Sequence, residues 1–305
     1  MRHLLSINDL HREEVEEIIQ RANRYLEGPL PHRPLFSFIL ATFFFEASTR
    51  TRLGFEAAAY RLGGQMIGLS ETKSKESMSA SESLEDTVRV VQDYSDVICL
   101  RHPDEDVFFK LKDSCLVPLI NAGNGADEHP TQALTDLFTI RQQLGRLDDL
   151  DIAIVGDLRH MRTVHSLVLA LSKYQNIRLR LISPESLKIP ERYKAGLTAS
   201  GSQIRETEEM DLSGADVVYM TGFAPKTPVG FFDDATRSAY QLRADVARNL
   251  DPASIILCPL PRVDEITFDV DTLDQAKYFQ QSKNGLYVRM AVLDFLLYNR
   301  THVAS

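Results

Sequence analysis

Apolar and polar positions fall into blocks whose period switches repeatedly between that of a strand and that of a helix. Residues 36–44 form an aromatic and β-branched run, continuous enough for a strand buried on both faces. Residues 51–62 place Leu53, Ala57, Ala58 and Leu62 at helical spacing and close on Gly63 and Gly64, with Ser48 or Thr49 positioned as N-cap. Residues 65–69 are a short strand, and a polar stretch rich in Ser, Glu and Lys runs on to Ser83. Leu84, Val88 and Val91 then mark one side of a helix. Residues 96–100 and 117–121 are further strands, the first ending at Arg101 and the second at a Gly-rich loop over 122–127. Ahead of all these, residues 13–25 read as an amphipathic helix, with Leu10, Val15, Ile18 and Ile19 on the apolar side.

The alternation then repeats. Residues 129–145 form a helix with Leu134, Leu137, Phe138 and Leu144 as its buried positions, followed by a polar junction at 147–150. Strands are predicted at 151–155, 178–182, 216–220 and 254–257, with the clearest helix over 164–174. Strands separated by helices require crossover connections and so parallel sheets. The fold class is therefore α/β, with two domains, each a parallel sheet flanked by helices. The first is assigned residues 1–145 and the second 146–285. Residues 286–297 are apolar at Leu286, Val288, Met290, Val292, Leu293, Leu296 and Leu297, a face broad enough to need cover on more than one side.

Composition narrows the function classes. A chain of 305 residues, 44% hydrophobic and 25% charged, has the make-up of an ordinary globular protein with room for two cores. No apolar run is long enough to span a bilayer, and residues 1–10 lack the form of a signal peptide, so a cytoplasmic protein without membrane partners is expected. The three cysteines, Cys99, Cys115 and Cys258, have no spacing that points to a disulfide framework or a zinc site. A net charge of −9 argues against a nucleic-acid partner. It also means that an anionic substrate has to be drawn in by a local cluster of arginines.

Such a cluster stands where the first strand ends. The apolar run breaks into Glu46-Ala47-Ser48-Thr49-Arg50-Thr51-Arg52 just as a helix begins. A helix N-terminus offers unpaired N–H groups and partial positive charge, and here hydroxyls and guanidiniums are added to them. Arg101, His129 and Gln132 also follow strands of the first domain, while Arg162, Thr221 and the Leu260-Pro261-Arg262 stretch follow strands of the second. Ligands of parallel sheets bind beyond the strands' carboxyl ends, so one cleft is expected to collect these residues. Val155-Gly156-Asp157 follows a strand but is not continued as a dinucleotide fingerprint, and neither a P-loop nor a nucleophile elbow is present.

Phe45-Glu46-Ala47-Ser48-Thr49-Arg50-Thr51-Arg52 resembles the carbamoyl phosphate signature of the aspartate and ornithine carbamoyltransferase family. Leu100-Arg101-His102-Pro103, His129-Pro130-Thr131-Gln132, Arg162-Thr163-Val164-His165-Ser166 and Pro259-Leu260-Pro261-Arg262-Val263-Asp264-Glu265-Ile266 resemble the aspartate branch in order and spacing, across nearly the whole chain. The resemblance implies that Ser48, Thr49, Arg50 and Thr51 hold the phosphate of carbamoyl phosphate. It implies also that Thr51, Arg101 and His129 polarise the carbonyl and that Gln132 accepts from the carbamoyl NH₂. Arg162, Leu260 and Pro261 would take the amino-acid acceptor, and Arg50, Thr51, Arg101 and His129 carry the catalysis. No metal or organic cofactor is called for. The same resemblance implies a last helix packed back on the first domain, a homotrimer with sites between subunits, and scope for a regulatory or pathway-partner chain.

Two places depart from the family pattern. Counting back from Glu82, the position of the aspartate branch's loop lysine is Ala80 and that of the loop serine is Glu76, with Lys73 and Lys75 nearby. After the strand at 216–220, positions that in this branch hold an arginine and a glutamine for the acceptor's side-chain carboxylate are Gly222 and Ala224, with Lys226 beyond. Carbamoyl transfer to L-aspartate ranks first. The alternatives are transfer to another amine, or a carbamoyl phosphate-binding relative with impaired catalysis. The ornithine branch's acceptor loop is not visible.

Overall fold

The computed structural model describes residues 2–28, 37–70, 82–223 and 234–301. It divides into two compact units, Met1–Leu134 with Asn284–Ser305, and Thr135–Lys283. In chain order the first carries α1 (Arg12–Glu27), β1 (Ile39–Phe44), α2 (Thr49–Arg61), β2 (Gln65–Ser70), α3 (Leu84–Val91), β3 (Val97–His102), α4 (Val107–Leu111) and β4 (Leu119–Asn124). Next, α5 (Pro130–Leu144) contains the first division point. The second unit carries β5 (Asp151–Val155), α6 (Arg162–Leu171), β6 (Arg178–Ile182), α7 (Glu191–Ala199), β7 (Gln203–Thr207), β8 (Val217–Met220), α8 (Asp234–Ala239), α9 (Ala244–Ala247) and β9 (Ile255–Leu257). The last helix, α10 (Tyr278–Thr301), contains the second division point.

Each sheet is parallel throughout its described ladders, ordered β2-β1-β3-β4 in the first unit and β7-β6-β5-β8-β9 in the second. In both, the chain leaves a starting strand to one side and returns on the other. The order therefore reverses between β1 and β3, and again between β5 and β8. At such a reversal the loops after adjacent strands diverge to opposite faces and leave a crevice.

Packing corrects three sequence readings. On α2 the buried apolar residues are Phe55, Ala58 and Ala59, with Leu62 buried at the C-cap, whereas Leu53 is 56% exposed. Either face has helical spacing, and the sheet selects the one carrying the larger aromatic ring. The second sheet also gains β7, whose Gln203-Ile204-Arg205-Glu206-Thr207 is too polar to read as a strand. It is the outer strand beyond β6, so its side chains stay largely in water. Likewise β4 runs on to Asn124, through part of the stretch expected to be loop.

The second half of α10 packs on the first unit. Tyr25 donates to Asp294 Oδ2 at 2.8 Å, Arg21 Nη1 lies 2.8 Å from the same oxygen, and Arg2 sits over the Phe295 ring at 4.7 Å. The chain start is tied in as well. Leu4 donates to the Leu119 carbonyl at 2.9 Å, and the buried Glu128 carboxylate accepts from Ser6 Oγ and, at 3.0 Å, from the Ile7 N–H. That last bond fixes the residue beside His129.

Candidate functional site

In the first unit the β1–β3 crevice gathers the candidate groups. Phe44 pairs in register with Arg101, and Phe45 N–H donates to the Arg101 carbonyl at 2.9 Å, so the end of β1 and Arg101 are adjacent. Ser48 is the N-cap of α2, extended at φ −156°, and its hydroxyl makes no capping bond. Thr49 and Arg50 are exposed in the first turn and Thr51 is buried. That turn contains no acidic side chain, so no first-turn residue cancels the positive potential of the helix end. Arg52 turns away to Glu56, at 2.8 Å, and is occupied there.

Arg101 is held at the crevice by Glu46, with Nε 3.5 Å from Oε2, and by the Ala122 carbonyl 3.4 Å from Nη1. Glu46 was not singled out in the sequence, although its place beside the S-T-R-T-R stretch was a usable signal. From the other side, the residue before α5 brings His129 in. Its Nε2 lies 3.2 Å from Thr51 Oγ1, and its Nδ1 3.3 Å from Thr131 Oγ1, with His129 and both threonines buried. The His129 carbonyl accepts from Gln132 N–H at 2.9 Å, which sets Gln132 in the first turn of α5, half-buried. Thus Ser48, Thr49, Arg50, Thr51, Arg101, His129 and Gln132 all belong to one unit, and the Thr51–His129 contact joins the starts of two helices.

In the second unit the crevice between β5 and β8 is shaped by Gly156 and Thr221. Gly156 has φ +129°, and a Cβ there would come 1.7 Å from the Thr221 carbonyl oxygen, so only glycine permits this approach. Thr221 Oγ1 is buried with no hydrogen-bond partner among the described residues. Asp157 holds the following turn by accepting from the N–H groups of Arg159 and His160, at 3.1 and 3.0 Å. Arg162 opens α6 after Met161, half-buried. His165 belongs to the packing: its ring stacks on Tyr193 at 4.0 Å, and Nε2 lies 2.9 Å from the Leu158 carbonyl.

Beyond β9, Leu260 has φ +53°, a conformation uncommon for a branched side chain, and the Leu260–Pro261 peptide is cis. Arg262 is committed elsewhere, forked onto Asp271 with Nη2 2.6 Å from Oδ2 and flanked by the rings of Phe268, Tyr278 and Phe279. Position 222 lies against Glu265, since a Cβ on Gly222 would meet Oε2 at 2.9 Å. That buried carboxylate accepts from the N–H groups of Val263 and Asp264, at 2.8 and 3.1 Å. Lys73, Lys75, Glu76, Ala80, Ala224 and Lys226 lie outside the described residues.

Residues 2–142 match the family model described as aspartate/ornithine carbamoyltransferase, carbamoyl-P binding domain, and residues 148–296 match the Asp/Orn binding domain of the same family. The chain belongs to the aspartate/ornithine carbamoyltransferase family. It is 43% identical to the aspartate carbamoyltransferase catalytic subunit of Methanocaldococcus jannaschii over 97% of this chain and 98% of that one. A crystal structure of the M. jannaschii catalytic subunit superposes with a TM-score of 0.90 at 42% identity, covering 99% of each chain. Aspartate transcarbamoylase from Trypanosoma cruzi, solved with carbamoyl phosphate and aspartate, superposes with a TM-score of 0.89 at 33% identity, covering 97% of this chain and 95% of that one.

Proposed function

We propose that this protein transfers the carbamoyl group of carbamoyl phosphate to the amino group of L-aspartate, giving N-carbamoyl-L-aspartate and phosphate. The observation that carries this reading is the Thr51–His129 contact at 3.2 Å, made at the start of a helix whose first turn has no acid and a free N-cap hydroxyl. It is supported by relatives named for this activity along 97% of the chain. Those relatives weigh against a different amine acceptor or an impaired catalyst, despite Gly222.

In this reading residues 1–145 bind carbamoyl phosphate and residues 146–285 bind the acceptor. Ser48, Thr49, Arg50 and Thr51 take the phosphate oxygens with the N–H groups of α2. Thr51, Arg101 and His129 donate to the carbonyl oxygen, and Gln132 accepts from the carbamoyl NH₂. As the neutral amine attacks the carbonyl carbon, negative charge grows on that oxygen, and each well-placed donor lowers the barrier by about 3–4 kcal/mol. Holding both substrates in line contributes further, and the departing phosphate takes the amine proton. Arg162 receives an acceptor carboxylate, and Leu260 and Pro261 shape the acceptor pocket with backbone.

The same reading makes the protein a cytoplasmic enzyme of pyrimidine biosynthesis and a homotrimer whose sites lie between subunits. An exposed apolar pair seven residues apart on α2, Leu53 and Tyr60, supports self-association. A regulatory or pathway-partner chain is included, on the strength of relatives named catalytic subunits. The function is tested by incubating the protein with ¹³C-carbamoyl phosphate and L-aspartate. A single ureido ¹³C resonance of N-carbamoyl-L-aspartate is expected, and its absence while another amine is carbamoylated would replace aspartate as the acceptor.

A further inference from the structure

Arg289 lies inside the first unit, 5% exposed. Its guanidinium packs against glycines of two helices. A Cβ on Gly54 of α2 would come 2.7 Å from Nη1, and one on Gly285 of α10 would come 2.5 Å from it. Glycine within a helix costs stability relative to alanine, so two of them at one spot mark space kept for this side chain. The Phe55 ring lies 5.8 Å from the guanidinium carbon.

What the site lacks is a carboxylate. Arg289 forms no ion pair among the described residues, and its Nε is buried there without a hydrogen-bond partner. The buried Cys99 thiol nearby does not supply the missing charge, because burial pushes it far above the ordinary thiol range. Burial also pushes the Arg289 guanidinium down to about 10, with the neighbouring charge of Arg50 acting in the same direction, so it remains a cation at neutral pH. Unpaired buried charges are costly and cluster at functional sites.

The location gives this charge a use. Arg50 and Gly54 are four residues apart and share one face of α2, separated by about 6 Å along the axis. The Arg289 guanidinium on Gly54 is therefore one turn behind the residues proposed to hold phosphate. We infer that Arg289 is a further positioning residue for the phosphate group, a buried cation whose field is balanced only when a phosphate dianion occupies the start of α2. The inference rests on the carbamoyl phosphate reading of that turn. A paired carboxylate would cancel the field at short range, whereas a lone cation in a low-dielectric interior reaches the ligand with little screening.

The test compares wild type, Arg289→Met, Arg289→Lys and Arg50→Ala by calorimetric titration with inorganic phosphate and with carbamoyl phosphate, alongside thermal unfolding without ligand. Arg289→Met removes the charge at similar length. It is expected to unfold at or above the wild-type midpoint without ligand and to bind both anions about tenfold more weakly. Arg289→Lys keeps the charge and is expected to stay within about threefold of wild type. Unchanged anion affinity in Arg289→Met would overturn the inference, and so would a variant that melts earlier or fails to fold, since the charge would then be stabilising the empty fold. If Arg50→Ala abolishes binding while Arg289→Met matches wild type, the phosphate reading stands and this inference alone fails. If wild type binds neither anion, both fall.

Discussion

Thr51 Oγ1 and His129 Nε2 meet at 3.2 Å across 78 residues of sequence, one in the first turn of α2 and the other immediately before α5. Two helix starts therefore converge on a single buried point, and both contribute partial positive charge there. A side-chain pair of this kind can hold a developing oxyanion without rearranging.

Removing either member tests that role. His129→Ala and Thr51→Val should each lower kcat about 10²- to 10³-fold, as loss of one oxyanion donor does, with little change in unfolding midpoint. Steady-state kinetics with both substrates saturating would decide it. An unchanged kcat would confine the pair to packing.

Gly156 should be the least replaceable glycine of the second unit. Gly156→Ala places a Cβ 1.7 Å from the Thr221 carbonyl oxygen at φ +129°, so β5 and β8 must move apart. The expected loss is about 3 kcal/mol or more in urea unfolding. A variant of wild-type stability would show that the β5–β8 spacing yields readily.

Asp294 holds two partners from α1, Tyr25 and Arg21. Tyr25→Phe should cost about 1 kcal/mol, the net value of one hydrogen bond. Asp294→Ala should cost more, about 1.5–3 kcal/mol, because it removes a charge-assisted partner of Arg21 as well as the acceptor of Tyr25 and leaves Arg21 paired with Glu17 alone. Equal losses in the two variants would contradict this division.

Stability should also decline in mild acid. His3 and His102 are both pushed below the ordinary histidine value of 6.5, chiefly by burial. In each, Nδ1 accepts a backbone N–H, from Leu119 at 3.1 Å and from Asp104 at 3.0 Å, which a proton on that atom would abolish. The unfolded chain binds these protons more readily, so the contribution is complete above about pH 6.5 and is lost as pH falls through the lower folded values. Urea unfolding between pH 7 and pH 5 should show this slope, and His3→Asn with His102→Asn, which keep an acceptor but do not titrate there, should flatten it. An undiminished slope in the double variant would assign it to other groups.

Local pattern sufficed where it had one physical solution. An N-cap at Ser48 or Thr49, Arg101 at a strand end and the parallel sheets were all legible from residue type and spacing. The buried face of α2 was not, because Leu53 and Phe55 each begin a helical stripe and only the sheet chooses between them. β7 escaped because an outer strand needs few apolar residues. The approach of Gly156 to Thr221 joins segments distant in sequence, so pattern alone left Gly156 as a failed dinucleotide fingerprint. Arg289 left one trace, a cation within the apolar run of 286–297, in the last helix and far in sequence from the strand ends that mark the site.

The most direct test of the account is calorimetric titration of the protein with carbamoyl phosphate, followed by L-aspartate in the same cell with phosphate release recorded. Saturable binding of carbamoyl phosphate, weakened well over tenfold in Arg50→Ala, and release of phosphate only after aspartate is added, is the predicted result. Binding that Arg50→Ala leaves intact, or no binding at all, would contradict the assignment of the α2 start as the phosphate site.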